Sequence, residues 1–66
     1  MDLKVLGTRL AQKREEKNIT AHDLSLRLYK AHNYISRVEA GKVNISFNSL
    51  LAICAELGID LRDVIQ

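Results

Sequence analysis

Apolar residues in this chain recur at intervals of three and four. Leu3, Leu6 and Leu10 make one such line, Leu24 and Leu28 a second, and Ile35 and Val38 a third. Phe47, Leu50, Ile53, Cys54 and Leu57 make the longest. This is the spacing of one helix face turned toward a core. Proline is absent and there are three glycines, which favours helices with short connections over a sheet with many turns. The pattern predicts helices over about 2–17, 21–28, 31–40, 47–57 and 61–65.

Three of the predicted helix starts share one device. Thr20, Ser46 and Asp60 can each cap the helix that follows them. At each site an apolar residue before the cap can staple to one in the first turn: Ile19 with Leu24, Ile45 with Leu50, and Ile59 with Val64. Asp23 and Asp63, three residues after their caps, can close capping boxes. Asn18, Gly41 and Gly58 suit helix stops, because asparagine and glycine tolerate the left-handed backbone. The reading is an all-α fold, a compact five-helix bundle making one domain over residues 1–66. Its expected core is Leu6, Leu10, Leu24, Leu28, Ile35, Val38, Leu50, Ile53 and Leu57.

Composition sharpens this picture. A chain of 66 residues buries only about 60% of its unfolded surface, so the core is thin. One cysteine, Cys54, excludes an internal disulfide, and His22, His32 and Cys54 have no zinc-site spacing. Apolar packing must carry the fold, and 47% apolar residues make that feasible. No run approaches the ~18 apolar residues of a membrane span, and Met1-Asp2-Leu3-Lys4 is not a signal-peptide start. A soluble, cytoplasmic protein is expected, with no cofactor, metal or small-molecule ligand. No nucleophile–base pair or glycine-rich phosphate loop points to an enzyme. Net charge is +2, unevenly spread: residues 1–42 carry +4 and residues 43–66 carry −2. Either the basic part faces a polyanion, or these are ordinary solvated helix faces.

The third predicted helix carries the most chemistry. Ala31, Ile35 and Val38 share its inward arc. The opposite arc holds His32, Asn33, Ser36, Arg37 and Ala40, with no apolar group larger than alanine. The major groove of B-DNA, about 12 Å wide, admits one helix. Arginine suits guanine N7 and O6, and asparagine suits adenine N6 and N7. A short helix over 21–28, a tight turn and a second short helix supply the layout of a helix-turn-helix.

Residues 6–65 resemble the Cro and lambda-repressor (XRE) type of helix-turn-helix domain. The matching stretches are Leu6-Gly7…Leu10…Arg14-Glu15, Ile19-Thr20…Leu24, Tyr34-Ile35-Ser36-Arg37-Val38-Glu39-Ala40-Gly41-Lys42, and Ser46…Leu50…Ile53…Leu57-Gly58-Ile59. The resemblance implies a five-helix fold with the reading helix third, and sequence-specific, usually dimeric, transcription regulation. Three positions depart from the family pattern. Ala21 stands where many members have a DNA-contacting glutamine. Tyr29 stands where many have a turn glycine, and a bulky residue with positive φ is costly there. Ala31 stands where a serine or threonine cap is common, at a cost of about 1 kcal/mol unless something replaces it.

On this reading His32, Asn33, Ser36 and Arg37 contact bases. Lys42 contacts phosphate, as its match does in the family, and Tyr34, Asn44 and, more weakly, Lys30 and Arg9 are further phosphate candidates. Glu39 lies at the edge of the inward arc and needs a partner if partly buried; the resemblance implies an ion pair with Arg14 joining the first helix to the third. One domain covers few base pairs, so a homodimer on double-stranded DNA is expected. Its interface is assigned to Leu51, Leu61, Val64 and Ile65, which could instead simply close the core. The rival function is a protein-interaction module or an antitoxin on the same fold.

Overall fold

The computed structural model describes residues 2–66, all of it helix and connection. The helices are α1 (Leu3–Glu16), α2 (Ala21–Arg27), α3 (Tyr34–Glu39), α4 (Phe47–Leu57) and α5 (Arg62–Ile65), and there is no strand among the described residues. This is the all-α five-helix fold that the periodicity predicts. The buried core joins Leu6 and Leu10 of α1, Leu24 of α2, Ile35 and Val38 of α3, Leu50, Ile53, Cys54 and Leu57 of α4, and Val64 of α5.

Helix starts follow the cap residues. The Asp2 carboxylate accepts from the Lys4 amide at 2.6 Å, Thr20 Oγ1 from the Asp23 amide at 3.0 Å, and Ser46 Oγ from the Ser49 amide at 3.1 Å. At Asp60 the box closes in both directions, with Asp60 Oδ1 accepting from the Arg62 amide and Asp63 Oδ2 from the Asp60 amide. At Thr20 the return half is missing, because the Asp23 carboxylate turns to Arg27 one helical turn on, at 2.9 Å. Arg62 donates to Asp60, and that hydrogen bond holds the Asp60 carboxyl below the usual carboxylate range.

Helix ends are more uniform than expected. Each of α1 to α4 stops on a left-handed residue: Asn18 (φ 58°), Tyr29 (φ 60°), Gly41 (φ 75°) and Gly58 (φ 67°). In each case the left-handed residue and the one after it donate back into the last turn. The pairs are Asn18 to Glu15 with Ile19 to Arg14, Tyr29 to Leu26 with Lys30 to Ser25, Gly41 to Val38 with Lys42 to Arg37, and Gly58 to Ala55 with Ile59 to Cys54. This is the Schellman arrangement four times over. The closing residues are of two kinds: Ile19 and Ile59 pack against the core, while Lys30 and Lys42 stand in solvent.

The structure moves several residues from their expected places. Leu28 is half-buried rather than central. Phe47 shares the arc of Cys54 but is 62% exposed. It opens the first turn of α4, where Ile45 and Leu50 take the place against the core. Val64, assigned to a dimer interface, has no exposed surface at all. Its side chain closes the monomer core under α5, so it has nothing to offer a partner. Arg9, a phosphate candidate, instead donates to the carbonyls of Val64 and Gln66 and ties α1 to the end of α5. Cys54 is a buried apolar residue; burial above all, and then the Asp63 and Asp60 carboxylates, push its thiol above the ordinary range.

Helix α3 has six residues, far too few to be stable alone. Two contacts from α1 hold its C-terminal half. Arg14 Nε and Nη2 grip the two Glu39 carboxylate oxygens at 2.7 and 3.1 Å, and Arg14 Nη1 donates to the Ile19 carbonyl at 2.7 Å. Both side chains are nearly buried, at 12% and 13% exposure. The Glu39 hydrogen bond raises the Arg14 guanidinium further above its usual range. Gly7 is the second contact: a Cβ there would meet the Glu39 carbonyl and lie 2.7 Å from the Val38 carbonyl oxygen. A mid-helix glycine costs about 1 kcal/mol relative to alanine, and here that cost admits the backbone of α3.

Gly7→Ala should therefore lower stability by roughly 1–3 kcal/mol despite the better helix propensity of alanine, read by urea unfolding; equal or higher stability would refute the close approach. Glu39→Ala should cost roughly 2–3 kcal/mol by leaving a charged fork short of its partner. Because the pair is little exposed, that loss should change little between low and moderate salt, and a loss that vanishes with added salt would show the pair to be a surface one.

Candidate nucleic-acid interface

Helix α3 begins at Tyr34, three residues later than its predicted start at 31. Ala31 has no side chain that can cap, and the chain makes a tight turn instead, with the Tyr34 amide donating to the Ala31 carbonyl at 3.0 Å. Ala31 is exposed, not inward. His32 and Asn33 thus lie on this turn and not in the helix. Asn33 holds the cap position without making a side-chain cap bond. The missing cap is supplied from another helix. Ser25 of α2, fully buried, accepts from the Ile35 amide at 3.0 Å and donates to the Ala21 carbonyl at 2.8 Å.

The outward side of the turn and helix is as polar as the arc predicts. His32, Asn33, Ser36 and Arg37 are exposed, and Tyr34 is half-buried against the core. The Ser36 hydroxyl donates to the Asn33 carbonyl at 3.0 Å, which leaves its oxygen free to accept. The His32 ring lies 6.0 Å from that of His22 on α2. Lys30 places its ammonium 5.4 Å from the Tyr34 ring centre, within cation–π range. Lys42 and Asn44 are exposed just beyond the C-terminal end of α3. The Schellman bonds fix the backbone of Lys30 before α3 and of Lys42 after it, so a lysine brackets each end of the helix.

Charge on this side is one-signed. Among the described residues Lys30, Arg37 and Lys42 form no ion pair, while Glu16, Asp23 and Glu39 are taken by Lys13, Arg27 and Arg14. The result is a polar helix face with donors in the middle and cations at both ends. Such a face can meet phosphates with its lysines and hydrogen-bond acceptors with Asn33 and Arg37. Among the described residues no group of three metal-binding side chains forms, and no helix is long and apolar enough to cross a membrane.

Of the residues assigned to a dimer interface, Leu51 and Ile65 are exposed at 40% and 43%, and Leu61 is half-buried against the core. Val64 is excluded, as described above. Sequence reasoning missed Ser25 and Gly7 as positioning residues. A signal for Ser25 existed: it sits beside Leu24 on the inward side of a short helix, where a hydroxyl has to find partners. Tyr29 adopts the left-handed backbone that a turn glycine usually takes, with its side chain 96% exposed.

Known proteins agree with this geometry. Residues 10–64 match the helix-turn-helix family profile. The crystal structure of the restriction-modification controller protein C.AhdI from Aeromonas hydrophila is similar with a TM-score of 0.89 and 28% sequence identity, over 97% of this chain and 97% of that one. No curated protein matches the chain. A polar third helix held from both sides, in a fold shared with a controller protein, places the chain in the XRE-type helix-turn-helix family of DNA-binding transcriptional regulators.

Proposed function

We propose that this regulator acts as a homodimeric repressor that lays the turn and helix over residues 32–39 in the major groove. One observation carries the reading: the outward face of α3 is polar, cation-flanked and free of unpaired acids, while both ends of the helix are fixed by other helices. Arg37 and Asn33 read bases, with Ser36 and His32 beside them. Lys42, Lys30, Asn44 and Tyr34 face the phosphates. The protein works where duplex DNA is, in the cytoplasm, and performs no catalysis. C.AhdI supports a regulator of this size, since nearly all of its chain is matched by this one.

The dimer joins through α4 and α5. Leu51 and Ile65 leave apolar surface on α4 and α5, in the acidic third of the chain, which has no use against phosphate. Two copies on a two-fold axis would read half-sites about 34–36 Å apart.

Selection from a random duplex pool at stated salt should enrich a palindrome. On that site Arg37→Ala should lose about 1–3 kcal/mol and relax preference at one base position, while Lys42→Ala should weaken all sequences alike and flatten the salt dependence. Parent-like binding by both variants would move the reading surface off α3. For assembly, sedimentation should show a dimer that Leu51→Glu dissociates without loss of helix content; a monomer with and without operator DNA rejects it.

A further inference from the structure

We infer that the Ser25 hydroxyl is the positioning group that sets the reading helix against α2, and so governs sequence discrimination by this chain. The inference rests on the proposed role of α3 and goes beyond it.

Four bonds beyond the regular helix ladder meet at Ser25. Its carbonyl accepts from the Leu28 amide at 3.2 Å and from the Lys30 amide at 3.0 Å, closing the end of α2. Its hydroxyl donates to the Ala21 carbonyl at 2.8 Å and accepts from the Ile35 amide at 3.0 Å. One residue therefore ends α2, fixes the turn and starts α3. The two hydroxyl bonds are not interchangeable with local ones. Asn33 offers α3 no side-chain cap, and Ala31 cannot. The site excludes solvent: Ser25 has no exposed surface, and Ile35 has 2%. Water cannot substitute for the lost acceptor there, so the Ile35 amide depends on this oxygen. The donor side matters as well. By donating to Ala21, the hydroxyl turns its lone pairs toward α3, so the bond has direction as well as strength.

Direction is what a reading helix needs. Non-specific binding to phosphate tolerates a small rotation of α3, because Coulomb attraction varies slowly with distance. Bidentate base contacts do not, since they need donor–acceptor distances near 2.9 Å at near-linear angles. Arg37 lies two residues beyond Ile35, so a rotation at the start of α3 is felt at its guanidinium.

The test uses Ser25→Ala, which removes one oxygen and keeps the carbonyl bond to Lys30. Affinity for the selected duplex should fall roughly tenfold, about the effect of one impaired base contact, while affinity for random duplex and its salt slope stay as in the parent. Equal losses on both duplexes, or no loss on either, overturn the role given to Ser25. A parent chain that selects no duplex overturns the DNA reading itself. A second measurement needs no variant. In the parent protein the Ile35 amide should exchange with solvent as slowly as the core amides of α4, although it lies in the first turn of its helix. Exchange as fast as that of the free first-turn amides shows the bond to be unmade and rejects the inference even if Ser25→Ala fails to fold.

Discussion

Everything on the outward side of this molecule depends on one guanidinium. Arg14 reaches three segments at once: its own helix, the connection at Ile19 and the carboxylate of Glu39. The planar fork fixes angle as well as distance. An apolar pair of similar volume could stabilise the fold as well, but it would let α3 rotate about its axis. The residues that meet across this pair are 25 positions apart, so the pair ties α1 to the last residue of α3. Gly7 works with it. The missing Cβ brings the α1 backbone onto the last turn of α3, close enough for the fork to reach.

What could be read from the sequence was what local chemistry decides. Thr20, Ser46 and Asp60 start helices because a short polar side chain can satisfy an amide two or three residues on, and that geometry needs no knowledge of the fold. Asn18, Gly41 and Gly58 stop helices for an equally local reason. The start of α3 was misplaced because its cap lies ten residues upstream, on another helix. Phe47 and Val64 exchanged expected places for the same kind of reason. Periodicity tells which residues share an arc, but not where the covering helices stop, so Phe47 at the start of α4 lies open while Val64 of α5 is completely covered. The outward arc of α3 remained legible despite the shifted boundary. His32 and Asn33 stay exposed on the turn, and Ser36 and Arg37 on the helix, because Ile35 and Val38 fix which side is buried.

Formal net charge understates the electrostatic character of the molecule. The acids of the first 42 residues are all occupied. Asp2 caps α1, Glu15 and Glu39 lie against Arg14, Glu16 pairs with Lys13, and Asp23 with Arg27. Among the described residues Lys30, Arg37 and Lys42 have no acid partner, while Asp60, Asp63 and Glu56 lie in the C-terminal third. The acids of the first 42 residues are held in ion pairs or a cap, and the cations left over set the sign there.

Anchoring α3 at both ends also bears on the entropy of association. A segment that ordered only on meeting its target would lose about 1–2 kcal/mol of backbone freedom per residue, on the order of 6–12 kcal/mol for six residues. Specific DNA affinities of about 10⁻⁸–10⁻¹¹ M correspond to roughly 11–15 kcal/mol. An unanchored helix of this length would surrender about 40% or more of that free energy before its first contact counted. With Ile35 and Val38 already in the core and Glu39 already gripped, the ordering is complete when the chain folds. A six-residue helix is then in place before any partner is met.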